Sequence, residues 1–157
     1  DELFAESIRA ALACGYIQNG DLVVLTAGVP TGHSGATNLM KVHIVGEILV
    51  QGMGIGSEVA KGPVRIIDFA GDMSQIQAGD IVVIHSAESS LAPYLFRIGA
   101  LIAEEGGLTS NAAIMGLNAG IPVIVGAKDA TSILKDGMLV TVDTLRGRVY
   151  RGLARAL

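Results

Sequence analysis

Hydrophobic positions in the first fifty residues follow a helical pattern and then a strand pattern. Apolar side chains at Phe4, Ile8, Ala11 and Leu12 recur every three to four residues, which predicts a helix over residues 3–14. The unbroken apolar run at residues 22–25 predicts a strand buried on both faces, as in a mostly parallel sheet. A second strand is predicted at residues 40–45. A unit of about 45 residues is too small to bury a large core alone.

From about position 57 onward, short apolar strands alternate with glycine-containing turns. Strands are predicted at residues 64–67, 81–84, 100–103, 121–126 and 138–142, and in a hairpin that ends at 149–151. Short helices are predicted at residues 91–98 and 130–134, and a small-residue helix is predicted to start at residues 109–111 and to end at Gly120. This pattern predicts a compact α/β unit with a mixed sheet.

The segment QGMGIGS at residues 51–57 has glycines at alternate positions, which predicts a boundary between two units. The predicted domains are therefore residues 1–50 and residues 51–157. Because the chain starts with Asp1 and Glu2 instead of a methionine, we expect a fragment or a processed chain.

Composition excludes several classes of partner. Half of the 157 residues are hydrophobic and 17% are charged, which is sufficient for a packed core. The formal net charge of −4 argues against nucleic acid and anionic membranes, because both bind basic surfaces. No apolar run reaches the roughly 18 residues of a membrane span. The single cysteine, Cys14, is expected to be a small buried residue of a cytoplasmic protein, since one cysteine allows no internal disulfide.

The most unusual segment is EGGLTSNAAI at residues 105–114. Its two glycines permit backbone torsions that other residues avoid, and a positive φ is considered for Gly107. Thr109 and Ser110 lie where the helix begins, and either can cap it. Free N–H groups at a helix N-terminus suit a phosphate or another anion, and the alternative is a capped turn without a ligand. The anion-binding candidates are Gly106, Gly107, Thr109, Ser110 and Asn111.

The string GGLTSNAAIMGLNAGIPVIVG resembles the mobile domain of phosphoenolpyruvate-utilising enzymes, in which the loop reads G-G-x-T-S-H-A-A and is followed by a G-I-P strand. The resemblance covers about residues 54–150 and implies a swivelling β/β/α fold. In that family the histidine of the loop accepts the phosphoryl group, and here this position is Asn111. An amide nitrogen is a very poor nucleophile, whereas imidazole can accept and return a phosphoryl group. We therefore expect this domain to be a degenerate phosphohistidine domain without catalytic residues. His85, at the end of a predicted strand, is expected to be an ordinary solvated histidine.

The stretch GYIQNGDLVVLTAGVPTGHSGATNLMKVHIV is similar to the end of the C-terminal α/β domain of pyruvate kinases, and residues 37–42, TNLMKV, match best. In that family the loop corresponding to residues 30–38 borders an allosteric site for a sugar phosphate or a nucleotide. The resemblance therefore implies effector-loop candidates, which are Thr31, Gly32, His33, Ser34 and Gly35. The alternative is an ordinary exposed loop.

Both resemblances occur together in pyruvate kinases of the Bacillus and Staphylococcus type. They imply a whole enzyme that transfers phosphate from phosphoenolpyruvate to ADP, requires Mg²⁺ and K⁺, and forms a homotetramer. This chain would then be a regulatory or structural part that holds no metal or cofactor, with the rest of the kinase chain and neighbouring subunits as its partners. The alternatives are a module that binds phosphate or another anion, and a phosphotransfer domain of an enzyme like phosphoenolpyruvate synthase.

Overall fold

The computed structural model describes residues 2–28, 37–69 and 73–153, which form two compact units. Unit 1 ends at Gly46, and unit 2 comprises Glu47–Leu153. The predicted boundary segment at residues 51–57 lies inside unit 2, where it contributes to two strands.

Unit 1 consists of one helix and one strand pair. Helix α1 (Glu2–Ala13) has the predicted position, and it buries none of its residues. Strands β1 (Leu22–Ala27) and β2 (Leu39–Ile44) pair in antiparallel register from Leu22 opposite Ile44 to Ala27 opposite Leu39. The expectation of a parallel, doubly buried strand at residues 22–25 is therefore wrong, because within the described residues β1 has one antiparallel neighbour and alternates between half-buried and exposed positions.

Cys14 directly follows α1 and is a free, exposed cysteine, so the prediction of a buried residue is also wrong. Its apolar neighbours Leu12 and Ala13 suggested burial, but α1 has no buried face on which a cysteine at its end could pack.

Unit 2 is built on an eight-stranded mixed sheet, which confirms the predicted α/β class. The strands are β3 (Ile48–Gln51), β4 (Met53–Ile55), β5 (Val59–Ile66), β6 (Ile81–Ile84), β7 (Ala100–Ala103), β8 (Val123–Val125), β9 (Leu139–Asp143) and β10 (Arg148–Arg151). Their spatial order is β3-β10-β9-β5-β6-β7-β8-β4. Neighbours from β5 to β8 are parallel, and all other neighbours are antiparallel.

The central strands are buried on both faces because every position in them is apolar. In β6, Ile81 and Val83 pack into one core cluster, whereas Val82 and Ile84 pack into a second cluster on the opposite face. Helix α2 (Asn111–Ala119) contributes to the second cluster, and helix α3 (Ala130–Ile133) contributes to the first. The parallel strands therefore form a rigid centre with a helix over each face.

A glycine explains why β4 is less evident in the sequence. A Cβ on Gly54 would collide with the backbone carbonyl group of Thr144, so glycine at this position permits close approach of two backbones. The predicted helix at residues 91–98 is instead a 3₁₀ helix, Ser89–Tyr94. Pro93 lies inside it and has no backbone N–H for an α-helical hydrogen bond. Among the described residues, no helix is both long and apolar enough to cross a membrane.

Candidate functional site

The loop between β7 and α2 is shaped by Gly106. Its φ is +105°, and a Cβ added to it would lie 2.6 Å from both Cβ and Oγ of Ser110. Only glycine fits these two conditions. Gly107 is not among the residues with positive φ, and a Cβ added there would meet only the terminal methyl of Met53, at 3.8 Å. The positive torsion considered for Gly107 therefore belongs to Gly106.

Helix α2 begins at Asn111 and is capped by Ser110. The Ser110 backbone is extended, with φ −70° and ψ 163°, and its Oγ accepts a hydrogen bond from the Ala113 backbone N–H at 3.4 Å. The Ser110 N–H donates to the Gly107 carbonyl at 3.0 Å, which closes the turn before the helix. Of the two predicted caps, the structure therefore selects Ser110, while Thr109 is exposed.

Three of the five anion-binding candidates lie together. Gly106, Ser110 and Asn111 line one hollow of about 170 Å³, which is also lined by Ser86, Ala87, Glu105 and Ala112. Gly107 and Thr109 are not among its described lining residues. The Glu105 carboxylate contributes negative charge to this hollow, and the Ser110 hydroxyl already accepts a hydrogen bond within the helix cap.

Beside this hollow, two carboxylates hold His85. Atom Nδ1 of His85 lies 2.6 Å from Oε2 of Glu104, and Nε2 lies 3.2 Å from Oε1 of Glu105. These residues meet because β6 and β7 are parallel neighbours in which Ile84 pairs with Ala103. The residues that follow the two strands therefore lie side by side. We call His85, Glu104 and Glu105 the histidine clamp.

Glu104 also caps a helix from another part of the chain. Its Oε1 accepts hydrogen bonds from the backbone N–H of Thr131 at 2.7 Å and from the Thr131 hydroxyl at 2.5 Å. Asp129, at the normal capping position of α3, has a φ of 60° and makes no side-chain cap hydrogen bond. The Glu104 carboxylate thus provides a capping interaction that the local sequence does not provide.

The clamp shifts the protonation equilibria of its members. The hydrogen bond with Glu104 and the negative charge of Glu105 raise the pKa of His85 above its ordinary value. Burial alone would raise the pKa of Glu104, but hydrogen bonds from His85 and Thr131 outweigh that effect and lower it. When His85 is protonated, each of its two ring N–H groups can donate a hydrogen bond to one of the carboxylates. His85 is exposed, as predicted, but both of its ring nitrogens contact carboxylates, so it is not an ordinary solvated side chain.

A larger cavity of about 550 Å³ opens next to the clamp, at the carboxyl ends of β5 and β6. It is lined by Ile66, Ile67, Asp68, Phe69, His85, Ser86, Glu88 and Thr131. Within residues 2–28, 37–69 and 73–153, no group of three or more histidine, cysteine or acidic side chains is arranged to hold a metal ion. The effector-loop candidates Thr31, Gly32, His33, Ser34 and Gly35 lie outside the described residues.

Sequence reasoning missed Glu104, Glu105 and Thr131. The signal for the two glutamates was present, because residues that follow adjacent parallel strands meet at one edge of the sheet. Thr131 had no comparable signal, since its approach to Glu104 depends on how α3 packs.

Comparison with known proteins links each unit to a family. Residues 1–43 match the family model described as pyruvate kinase, alpha/beta domain, and residues 76–147 match that of the PEP-utilising enzyme mobile domain. A pyruvate kinase of Geobacillus stearothermophilus is 46% identical over 158 aligned residues, which cover 100% of this chain and 27% of that protein. A pyruvate kinase of Staphylococcus haemolyticus is 40% identical with the same two coverages. The chain thus spans about a quarter of the length of these curated relatives.

A solved structure supports the fold of unit 2. The crystal structure of Thermococcus kodakaraensis aconitase X contains a chain that aligns with 65% of this chain and 96% of its own length, with a TM-score of 0.52. The sequence identity is 23%, so the similarity concerns the fold alone.

Proposed function

This chain belongs to the C-terminal region of bacterial pyruvate kinases, and on that premise we propose that it is a structural and regulatory part of the enzyme that performs no chemistry itself. The whole enzyme would be a cytoplasmic, glycolytic homotetramer that converts phosphoenolpyruvate and ADP into pyruvate and ATP. A sugar phosphate or a nucleotide would act as its effector near residues 30–38.

The metal requirement of the proposed enzyme belongs to the part of the protein outside this chain. Among the described residues, no group of three or more histidine, cysteine or acidic side chains is arranged to hold a metal ion, which is consistent with this assignment. No step of the reaction is therefore assigned to units 1 and 2.

The observation that supports an inert domain is the residue at the start of α2. Asn111 is exposed there, at the position where the phosphoenolpyruvate-utilising family has its phosphorylated histidine. The amide nitrogen of Asn111 has its lone pair delocalised into the carbonyl group. It therefore cannot attack phosphorus as an imidazole does.

The surroundings also disfavour the neighbouring hydroxyls as phosphoryl acceptors. A serine or threonine nucleophile needs an adjacent general base. His85 is the nearby histidine, and both of its ring nitrogens already contact carboxylates, so neither is free to serve as the base of a hydroxyl. The Ser110 hydroxyl is already used to cap α2.

A labelling experiment tests this proposal. The chain is incubated with labelled phosphoenolpyruvate, or with labelled ATP and the nucleotide-binding part of a phosphoenolpyruvate-utilising enzyme, and residues 105–119 are analysed by mass spectrometry. We expect no phosphorylated side chain. The variant Asn111→His is the matched control, and without the added enzyme part it should also remain unlabelled. A stable phosphoryl group on residues 109–111 of the unmodified chain would contradict the proposal.

An anion-binding module is the second candidate function. The N-terminus of α2 favours it, because the helix dipole attracts negative charge. The Glu105 carboxylate in the same hollow opposes it. Phosphate titration followed by NMR of the Asn111 and Ala112 amides separates the two functions. Shifts that saturate at millimolar phosphate would support anion binding, and their absence would leave the structural role.

A further inference from the structure

Helix α2 has an unusual composition for a helix at a protein surface. Its sequence, NAAIMGLNA, contains no charged residue. The fully buried residues of α2 are small, namely Ala112, Ala113 and Gly116, and Met115 is half-buried against the second core cluster, whereas Ile114 and Leu117 are 48% and 69% exposed. A helix between a core and solvent normally has its apolar residues inside and charged residues outside. In α2, by contrast, the two bulky side chains of Ile114 and Leu117 are on the outside.

Packing prevents α2 from turning these residues inward. A Cβ on Gly116 would collide with the side chain of Val123 in β8, so the helix lies as close to the sheet as its backbone allows. Its ends are also held, by the Ser110 cap and by Gly120 with a φ of 70°. Ile114 and Leu117 therefore stay on the surface of unit 2.

Further exposed apolar side chains occur before and after the helix. Leu108, in the preceding loop, is 62% exposed. Leu117 lines a hollow of about 240 Å³ together with Ile55, Ile121 and Pro122. Among the described residues that line this hollow, Glu58 is the charged one. We call Ile114 and Leu117 the outer face of α2. These two residues are three positions apart and lie one turn from each other on the helix, and exposed apolar surface of this kind is typical of a protein contact.

We propose that the outer face of α2 docks on an apolar surface of the remaining pyruvate kinase polypeptide. This inference rests on the proposed function. The matched kinases contain this chain as 27% of their length, so most of their polypeptide lies outside it and is tethered nearby. Tethering raises the effective concentration of a partner surface, so a small patch is sufficient for docking. The absence of charge on α2 indicates an apolar contact and not one guided by ion pairs.

The test uses the full-length kinase that contains this sequence, beside the 157-residue chain. Hydrogen exchange at the α2 amides should be slower in the full-length protein by a factor of about ten or more, because docking adds an opening step. Leu117→Glu should abolish that slowing and lower the melting temperature of the full-length protein, while the shorter chain keeps its melting temperature.

Leu145→Glu is the matched control, because Leu145 is 68% exposed in the turn between β9 and β10, outside the outer face of α2. Leu145→Glu should change neither the hydrogen exchange of α2 nor the melting temperature in either protein. Equal α2 exchange in both proteins would overturn the proposal. The proposal would also be overturned if the 157-residue chain formed a dimer that the substitution Leu117→Glu dissociated, since the occupant would then be a second copy of the chain. Neither result involves phosphoryl transfer, so this proposal and the inert role of Asn111 fail independently.

Discussion

The two units use similar apolar residues with very different results. In unit 2, every residue of β6 and β7 is buried, because parallel neighbours and two core clusters enclose these strands. In unit 1, the equally apolar run of β1 pairs with one antiparallel strand and stays partly exposed, and α1 buries nothing. An apolar run therefore becomes core only when elements are available to cover both of its faces.

This difference implies that the stability of the chain is concentrated in unit 2. Its central strands should exchange their amide hydrogens only on global unfolding, while those of α1 should exchange by local opening. Substitutions of the same kind in the two units provide direct comparisons.

The largest difference in unfolding free energy is expected between the substitutions Gly54→Ala in unit 2 and Gly15→Ala in unit 1. A methyl group on Gly54 would collide with the backbone of Thr144, which cannot move away like a flexible side chain, so we expect a loss of about 3 kcal/mol or more in the unfolding free energy of unit 2. Gly15 has a φ of +75° and open space around it, so alanine there should cost about 1 kcal/mol of torsional strain. Chemical denaturation with hydrogen exchange measures both. Equal losses would show that unit 1 is packed as tightly as unit 2.

An intermediate, pH-dependent effect is expected from the histidine clamp. Because the pKa of His85 is raised in the folded state, its stabilisation is fully present below about pH 6.5, the ordinary value, and is lost as the pH rises through the raised pKa. The pKa of Glu104 is lowered, so its contribution is present above the ordinary carboxyl pKa and is lost as the pH falls through the lowered one.

The melting temperature of unit 2 should therefore decline as the pH rises above about 6.5, and this decline should be smaller in His85→Gln. His43→Gln, a histidine of β2 in unit 1, is the matched control and should keep the full decline for unit 2. Identical pH profiles for the chain and His85→Gln would show that the clamp does not stabilise the folded state.

The smallest effect is expected at Cys14. Because its side chain is exposed at the end of α1, Cys14→Ser should change the unfolding free energy by no more than about 0.5 kcal/mol. The thiol of the unmodified chain should react with a disulfide reagent under native conditions as fast as in denaturant. Protection of the thiol would mean that unit 1 buries more of α1 than the structure shows.

Local patterns in the sequence were sufficient to predict the central elements. The all-apolar runs at β6 and β7 and the helix after Ser110 were predicted because burial and capping leave clear residue signatures. Strand β4 was not predicted, because a glycine that allows close backbone contact resembles a glycine of a linker. Strand β3, with only four residues, was also not predicted.

The candidate site was predicted only where its residues are close together in the sequence. Asn111 and Ser110 were identified from one contiguous motif. The clamp joins residues that directly follow β6 and β7, and Glu104 also contacts Thr131 of α3, so the geometry depends on strand order and on how α3 packs. The positive φ at Gly106 instead of Gly107 shows the limit of the motif, because two adjacent glycines do not indicate which of them adopts the left-handed torsion.

The edge pairing of β3 with β10 has a consequence for the modularity of unit 2. These are its first and last strands, and the Arg151 N–H donates to the Glu47 carbonyl at 3.0 Å, so both ends of the unit emerge at one edge of the sheet. Domains with adjacent ends tolerate circular permutation and insertion into a host loop. Joining residues 47 and 153 by a short linker and opening the chain at the turn after Gly137 should therefore yield a folded permutant, which makes unit 2 a transplantable module.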